Sequence, residues 1–528
     1  MTWNVLRACI GCVALSCVLH ADPLWSGTYN GPYNSYDEVY AIGVDDSGNV
    51  IVSGFSELSA NDAEFVTIKY KPSGDTAWLR HFNPGSGCDG GTALAVDRSG
   101  NVIITGYLGS STSQYGEWQT IKYSPTGDSL WTTTRDFGNR DRPTQVAVDS
   151  AGNSYVTGEA GSLNYLDFVA VKYDPNGTEA WAFNYDGGDN DGANAIAVAR
   201  DGNVYLTGYT IRSGSYGDLL TCKVSPTGES LWATVYVGPG GKSDMGRFIT
   251  VDGSGNVLVG GVSNDSAGRS HYVTIKYAPN GDTLWTRRYV GAGNQDDQIA
   301  GLALDQAGNV YVTGGSYVDQ NHYNYATIKY SPDGSERWVV LYAGLTGRAT
   351  AQGIALDAEA NVYVTGSSAD STGGWDVVTV KYDSAGNQRW VERYDRPSRF
   401  DEGYVLALSR QGNVFVGGRT DDDSTGIDYL TLAYGSAGAV KATPSAEVRT
   451  TNRGPTIVRG ILNLQSATCN LQPEVALLDA AGRKVLDLVP GPNDISRLAP
   501  GVYFMRPASG VMRSASGVER MTKVIINH

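Results

Sequence analysis

Between Trp25 and Tyr434, short runs of alternating apolar and polar residues return in the same order eight times. One copy, Trp78 to Tyr123, shows the parts: a strand opened by Trp, a small-residue strand (ALAV), an apolar strand (NVIITG) and a Thr-Ile-Lys-Tyr strand. Period-two alternation and β-branched residues predict strands, and no window carries a helical period. An Asn follows the first hairpin turn in every copy, at Asn49, Asn101, Asn153, Asn203, Asn256, Asn309, Asn361 and Asn413, so the spacing is 50 to 53 residues. A Gly stands five residues after each Asn, from Gly54 to Gly418. Trp recurs at Trp25, Trp78, Trp131, Trp181, Trp232, Trp285, Trp338 and Trp390. The turns have their own chemistry: D-x-x-G-N combines an Asx turn with a Gly for positive φ, and S-P-T-G-D presets φ with Pro.

Four strands per copy in eight copies predict an all-β fold, an eight-bladed β-propeller over 22–442, because a single blade cannot bury both its faces and must stack on neighbours. The chain enters on a Trp strand and its last copy has Ala442 where Trp is expected. The Trp25 strand is therefore expected to complete the eighth blade and close the ring. An open array of hairpins is the alternative. The repeated Trp is expected between blades, and the repeated Lys, from Lys69 to Lys381, is expected to pair with a repeated carboxylate.

The units resemble the bacterial extracellular β-propeller repeat family (SBBP type). The residues that carry the resemblance are Ser150 to Gly158 and Asp305 to Gly314, which follow a D-x-x-G-N-x-Y-V-T-G pattern. The resemblance implies fold, and the family shares no common reaction. Residues 443–528 resemble a second family, the C-terminal sorting domain of the type IX secretion system, through Val475 to Val485, Asp494 to Phe504 and Lys523 to Ile526. It implies a small β-sandwich after the propeller, recognition by the type IX machinery, and passage through the periplasm to the cell surface or the medium. Residues 1–21, with Arg7 ahead of the apolar run Ala8 to Leu19, resemble a secretory signal peptide. That run is too short to span a membrane.

Composition narrows the function classes. The chain has 67 Gly in 528 residues, 41% hydrophobic and 18% charged residues, which excludes disorder and coiled coil. Net charge is −15, and because 443–528 is basic the propeller segment carries −20. Such a surface repels phosphate backbones, so no nucleic-acid partner is expected. Cys88, Cys222 and Cys469 remain after the leader, an odd and widely spaced set that suits neither a disulfide framework nor a metal cluster.

Copies differ in length only in the connections from Trp strand to small-residue strand and from apolar strand to Lys strand. In an antiparallel blade these two loops share one face, where binding is expected. Aromatics gather in the second set of loops: Tyr115, Trp118, Tyr165, Tyr216, Tyr272, Tyr323, Tyr325 and Trp375. They are the candidate binding residues. An Asp series opens the small-residue strands, Asp37, Asp89, Asp141, Asp191, Asp244, Asp297 and Asp401, broken by Ala349. It reads either as loop caps that accept backbone N–H bonds or as a carboxylate ring that gathers a cation such as Ca²⁺. No metal or cofactor is expected to be required.

Catalytic signals fail. Gly85 to Gly90 fits GxGxxG but precedes a strand, and HExxH, GxSxG and Walker sequences are absent. The expected function is a binding or adhesin-like module for an extracellular protein or glycan. The alternative is an extracellular enzyme on a propeller scaffold, polysaccharide-active or quinoprotein-like.

Overall fold

The computed structural model describes residues 23–435, apart from 61, 86, 111–112, 139, 163–164, 213–215, 397–399 and 423–425, and strand segments between 456 and 526. The chain divides into two compact units, 1–439 and 440–528. Among the described residues there is no helix.

The first unit is an eight-bladed propeller of four-stranded antiparallel sheets. Strand β1 is Trp25–Tyr29, and blade one contains β2 (Asp37–Val44), β3 (Val50–Ser59), β4 (Asp62–Tyr70) and β5 (Thr76–Phe82), paired in that order. We call these positions a, b, c and d in every blade. Blades two to seven begin at Gly90, Arg142, Asp191, Asp244, Asp297 and Ala349. The eighth takes strands a to c from Asp401–Leu408, Val414–Asp422 and Gly426–Tyr434, and its fourth strand is β1, registered from Trp25↔Ala433 to Tyr29↔Tyr429. The ring closes as the sequence leads one to expect.

Two local devices explain the repeat. Each a/b pair contains a bulge, in blade one between Val39 and Ala41. The bulge drives a strand-a carbonyl against the repeated Gly of strand b: a Cβ on Gly54 would lie 1.9 Å from the Glu38 oxygen, and one on Gly418 1.8 Å from that of Glu402. Only a residue without Cβ fits there. The D-x-x-G-N turn is held as expected. Asp45 Oδ1 accepts the N–H groups of Ser47 and Asn49, both at 2.9 Å, and Gly48 takes φ +80°.

Blades adhere through the Trp. The indole N–H of Trp78 donates to the Pro125 carbonyl in the c–d turn of the next blade at 3.1 Å, its ring packs on Tyr123 at 6.0 Å, and its face lies over Gly127. The same indole bond joins Trp25 to Pro72, Trp131 to Pro175, Trp181 to Pro226, Trp232 to Pro279, Trp285 to Pro332 and Trp338 to Ser384. Trp390 faces the eighth blade, whose fourth strand is β1. Its N–H has no partner among the described residues. Lys69 reaches Asp45 of its own blade at 2.8 Å and the Pro125 carbonyl of the next at 3.2 Å, and Lys122 and Lys276 pair likewise with Asp97 and Asp252. Hydrophobic clusters sit between blades. One joins Ile51, Phe65 and Trp78 of blade one to Val102, Ile104 and Ile121 of blade two.

In the second unit, Val475–Leu478 pairs with Lys484–Leu488 on one side and Gly501–Pro507 on the other, inside a five-stranded sheet. Ile461–Leu464 pairs with Gly491–Asp494.

Candidate functional site on the loop face

Antiparallel order places the a–b and c–d turns on one face and the b–c and d–a loops on the other. The turn face holds two open clefts of about 440 and 470 Å³. Most of their acids are already committed: Asp45 and Asp97 to lysines, Asp46 to Arg410 at 2.8 Å, and Asp305 and Asp357 to Asn309, Tyr311, Asn361 and Tyr363, which leaves the exposed Glu359. These clefts are gaps between structural turns.

On the loop face the Asp series resolves into caps. All seven side chains are buried. Gly31, Phe137, Gly187, Gly238, Gly291 and Arg396 donate their N–H groups to Asp37, Asp141, Asp191, Asp244, Asp297 and Asp401 from the preceding d–a loop. Asp89 instead receives the Gly109 N–H at 2.9 Å. Burial pushes the carboxyls of Asp37, Asp141, Asp191 and Asp244 upward, and that of Asp89 to about 7. Among the described residues no three members of the series come together as potential ligands. Two acidic groups among the described residues could share an ion, Asp167–Asp186–Asp191 and Asp376–Asp395–Asp401, and each contains a single member of the series. The reason is that each carboxylate is engaged by backbone N–H groups of its own junction. Asn184 donates to Asp167 at 2.8 Å and Arg393 pairs with Asp376, so side chains already serve both groups.

The aromatic candidates divide by register. Trp118, Tyr272 and Tyr325 are at most 1% exposed and cannot offer a ring to a ligand, which corrects the sequence expectation. Each stands four residues before the repeat Lys. In all eight copies that position is bulky and buried, as Phe65, Trp118, Phe168, Leu219, Tyr272, Tyr325, Val377 and Tyr429. It packs on a strand-d ring, as Tyr325 does on Tyr342 at 5.3 Å. The fixed offset from Lys is the signal that separates these core rings from the loop rings. Tyr165 and Tyr216 are 62% and 54% exposed, and Lys242 lies 4.4 Å over the Tyr216 ring. The side chain of Tyr115 falls outside the described residues.

Tyr323 and Trp375 come together. Their rings stack at 6.1 Å and 14°, and Tyr317 extends the ladder at 4.9 Å from Tyr323. The ladder is anchored to the backbone: the Tyr323 N–H donates to the Gly347 carbonyl at 2.9 Å, and Tyr323 and Trp375 form isolated bridges to Arg348 and Phe400. The Arg348 guanidinium lies 5.3 Å from the Trp375 ring centre. Leu345 and Val318, in the adjoining loops, and Phe400, bridged to Trp375, are 68%, 43% and 41% exposed. This is the junction of blades six and seven, where Ala349 breaks the Asp series.

Sequence reasoning overlooked Arg348. It stands immediately before the Asp-series position, which reads Tyr36, Cys88, Arg140, Asn190, Ser243, Asp296, Arg348 and Phe400 through the copies. Seven residue types at one position of a regular repeat would have marked it. A second cluster was also overlooked. At the junction of blades eight and one, Arg419 pairs with Glu38 and Glu402, touches Tyr36, and lies 5.7 Å from the Tyr404 ring. Tyr40 and Tyr404 donate to the same glutamates at 2.7 Å. This knot ties the last blade to the first, and only the Arg419 Nε within it is left without a partner among the described residues.

Residues 284–319 match the family model described as Beta-propeller repeat (SBBP). Among curated proteins, an uncharacterized WD repeat-containing protein of Acanthamoeba polyphaga mimivirus is 23% identical over 451 residues, which is 70% of this chain and 32% of that protein. The chain thus spans about a third of the relative's length. Similar solved structures include a protein of unknown function from Bacteroides caccae (13% identity, 56% of this chain and 93% of that one, TM-score 0.33). Others are a puromycin hydrolase mutant complexed with PGG (12%, 76% and 62%, TM-score 0.43) and a PL25 ulvan lyase (9%, 65% and 91%, TM-score 0.40). None of these likenesses bears on chemistry. Repeat and topology together make the chain an eight-bladed β-propeller that carries the Beta-propeller repeat.

Proposed function

We propose that the chain is an exported binding protein whose ligand docks on the loop face over Tyr317, Tyr323, Trp375 and Arg348. The observation that carries this reading is the partly open aromatic ladder, fixed by backbone bonds and capped by a guanidinium, at the junction that departs from the repeat. Rigid amphipathic rings lose little entropy on binding, and clustered Trp, Tyr and Arg mark binding hot spots. The exported location rests on the leader-like 1–21 and on the sorting-domain pattern of 443–528, which we read as the type IX address.

The mature chain should be screened against glycan and protein arrays, and hits repeated with Trp375→Ala. Loss of the hit with an unchanged melting temperature supports the reading. A hit that survives Trp375→Ala and is lost on substitution of the turn-face cleft residues Asp46 and Arg98 moves the site to the opposite face. Export is tested by deleting 443–528 in the native host, which should leave the propeller in the periplasm.

A further inference from the structure

We propose that the ligand of the loop face is an acidic glycan and that Arg348 receives its carboxylate or sulfate. The proposal rests on the binding reading above and specifies its chemistry.

The first argument is charge. Four arginines of this face are neutralised by acids: Arg212 by Asp218 at 2.6 Å, Arg269 by Asp265 at 2.7 Å, Arg393 by Asp376, and Arg419 by Glu38 and Glu402, whereas Arg288 donates to the Ser263 carbonyl. Arg348 has no side-chain hydrogen bond or ion pair among the described residues, yet it is half-buried and held over the Trp375 ring. A guanidinium fixed on an aromatic face, with its donor fork unused, is suited to bidentate capture of an oxyanion.

The second argument is the missing acids. At other junctions a carboxylate opens strand a and an acidic or His side chain stands five residues before the repeat Lys, as Asp167 and Asp191 do. At the junction of blades six and seven these positions are Asn324 and Ala349, with Ala349 fully buried. The two acids that the other junctions carry at these positions are absent where Arg348 stands, and Asp319 of the adjoining b–c loop is paired with His322 at 2.8 Å. The remaining negative charge of the propeller is screened beyond about 8 Å at physiological salt, so the local guanidinium decides.

The third argument is size. The ladder is a handful of side chains, whereas a stable protein interface takes roughly 20–30 residues a side. A short glycan fits the smaller footprint: its apolar ring faces lie against Tyr and Trp and its charged group reaches Arg348.

The test uses the mature chain, with the C-terminal unit retained, titrated calorimetrically with three probes: a hexameric oligogalacturonate, its carboxyl-reduced neutral counterpart, and a sulfated neutral hexasaccharide. At least one acidic probe should bind about ten- to a hundredfold tighter than the reduced one, the range of a charge-assisted hydrogen-bond pair. Arg348→Gln should remove that preference, Arg348→Lys should restore part of it, and Trp375→Ala should weaken both classes. Whether uronate or sulfate binds more tightly identifies the anion source. Equal binding of neutral and acidic probes, sensitive to Trp375→Ala but not to Arg348→Gln, overturns the acidic assignment and leaves the binding face standing. A protein-array hit lost on Trp375→Ala, with no glycan binding, overturns the glycan class alone. Absence of binding to any glycan or protein probe overturns both.

Discussion

The Trp-on-Gly clasp between blades can be isolated by two glycines with the same backbone. Gly152, in an a–b turn, and Gly177, in a c–d turn, both sit at φ +86°. A Cβ on Gly152 would come no closer than 3.8 Å to Pro175 and would meet no clash. A Cβ on Gly177 would stand 2.7 Å from Cγ and Cδ2 of Trp131. Ala at either site bears the left-handed strain of about 1–2 kcal/mol. Only Gly177→Ala adds overpacking, typically about 1–3 kcal/mol, because the indole is pinned by its bond to Pro175 at 3.0 Å and cannot retreat without losing it. We therefore expect Gly152→Ala to cost about 1–2 kcal/mol and Gly177→Ala about 2–5. Urea midpoints followed by circular dichroism, with m-values checked for constancy, give the comparison. In the Trp131→Leu background the excess should largely vanish, since the wall the methyl strikes is gone. Equal costs for the two glycines, or an excess that persists without the indole, would refute the claim that close Trp–Gly approach holds the blades together.

Three further outcomes follow from the same geometry. Ala360 occupies the turn position that is Gly in the other seven copies, at φ +59°, so Ala360→Gly should stabilise the protein by about 1 kcal/mol in the same urea assay. Trp285→Phe removes an indole bond to Pro332, whereas Trp390 has no acceptor to lose among the described residues. Trp390→Phe should therefore be the milder substitution, by about 1 kcal/mol. Asp89 is buried, and its carboxyl is raised to about 7 from an unfolded value near 4. Its contribution is then present below about pH 4 and is lost as pH rises through 7. The melting temperature should fall from pH 5 to pH 8, and Asp89→Asn should flatten that fall; a steeper fall in the variant would contradict the assignment.

The sequence by itself determined what is local and repeated. Strand number, the D-x-x-G-N turns and closure by the Trp25 strand were legible because each rests on a period, a turn residue or a count, and eight copies average out the noise of any one. The repeated Gly from Gly54 to Gly418 was visible, although its reason, a strand-a carbonyl about 2 Å from a Cβ, needed three dimensions. Register in strand c was only half legible. Tyr323 and Tyr325 differ by two positions, yet one stands at the loop and the other in the interior, because the boundary is set by where strand d stops covering strand c. What only the tertiary structure decided is what meets across a junction. Arg419 finds Glu38, 381 residues away, and Arg348 finds Trp375 and, among the described residues, no carboxylate. The Asp series accepts backbone N–H groups, the cap reading that the sequence favoured while leaving a ring of charge as its alternative. Pairings of this kind carry no local signature, since they depend on the ring bringing blade eight to blade one and on which of two neighbouring blades supplies the partner.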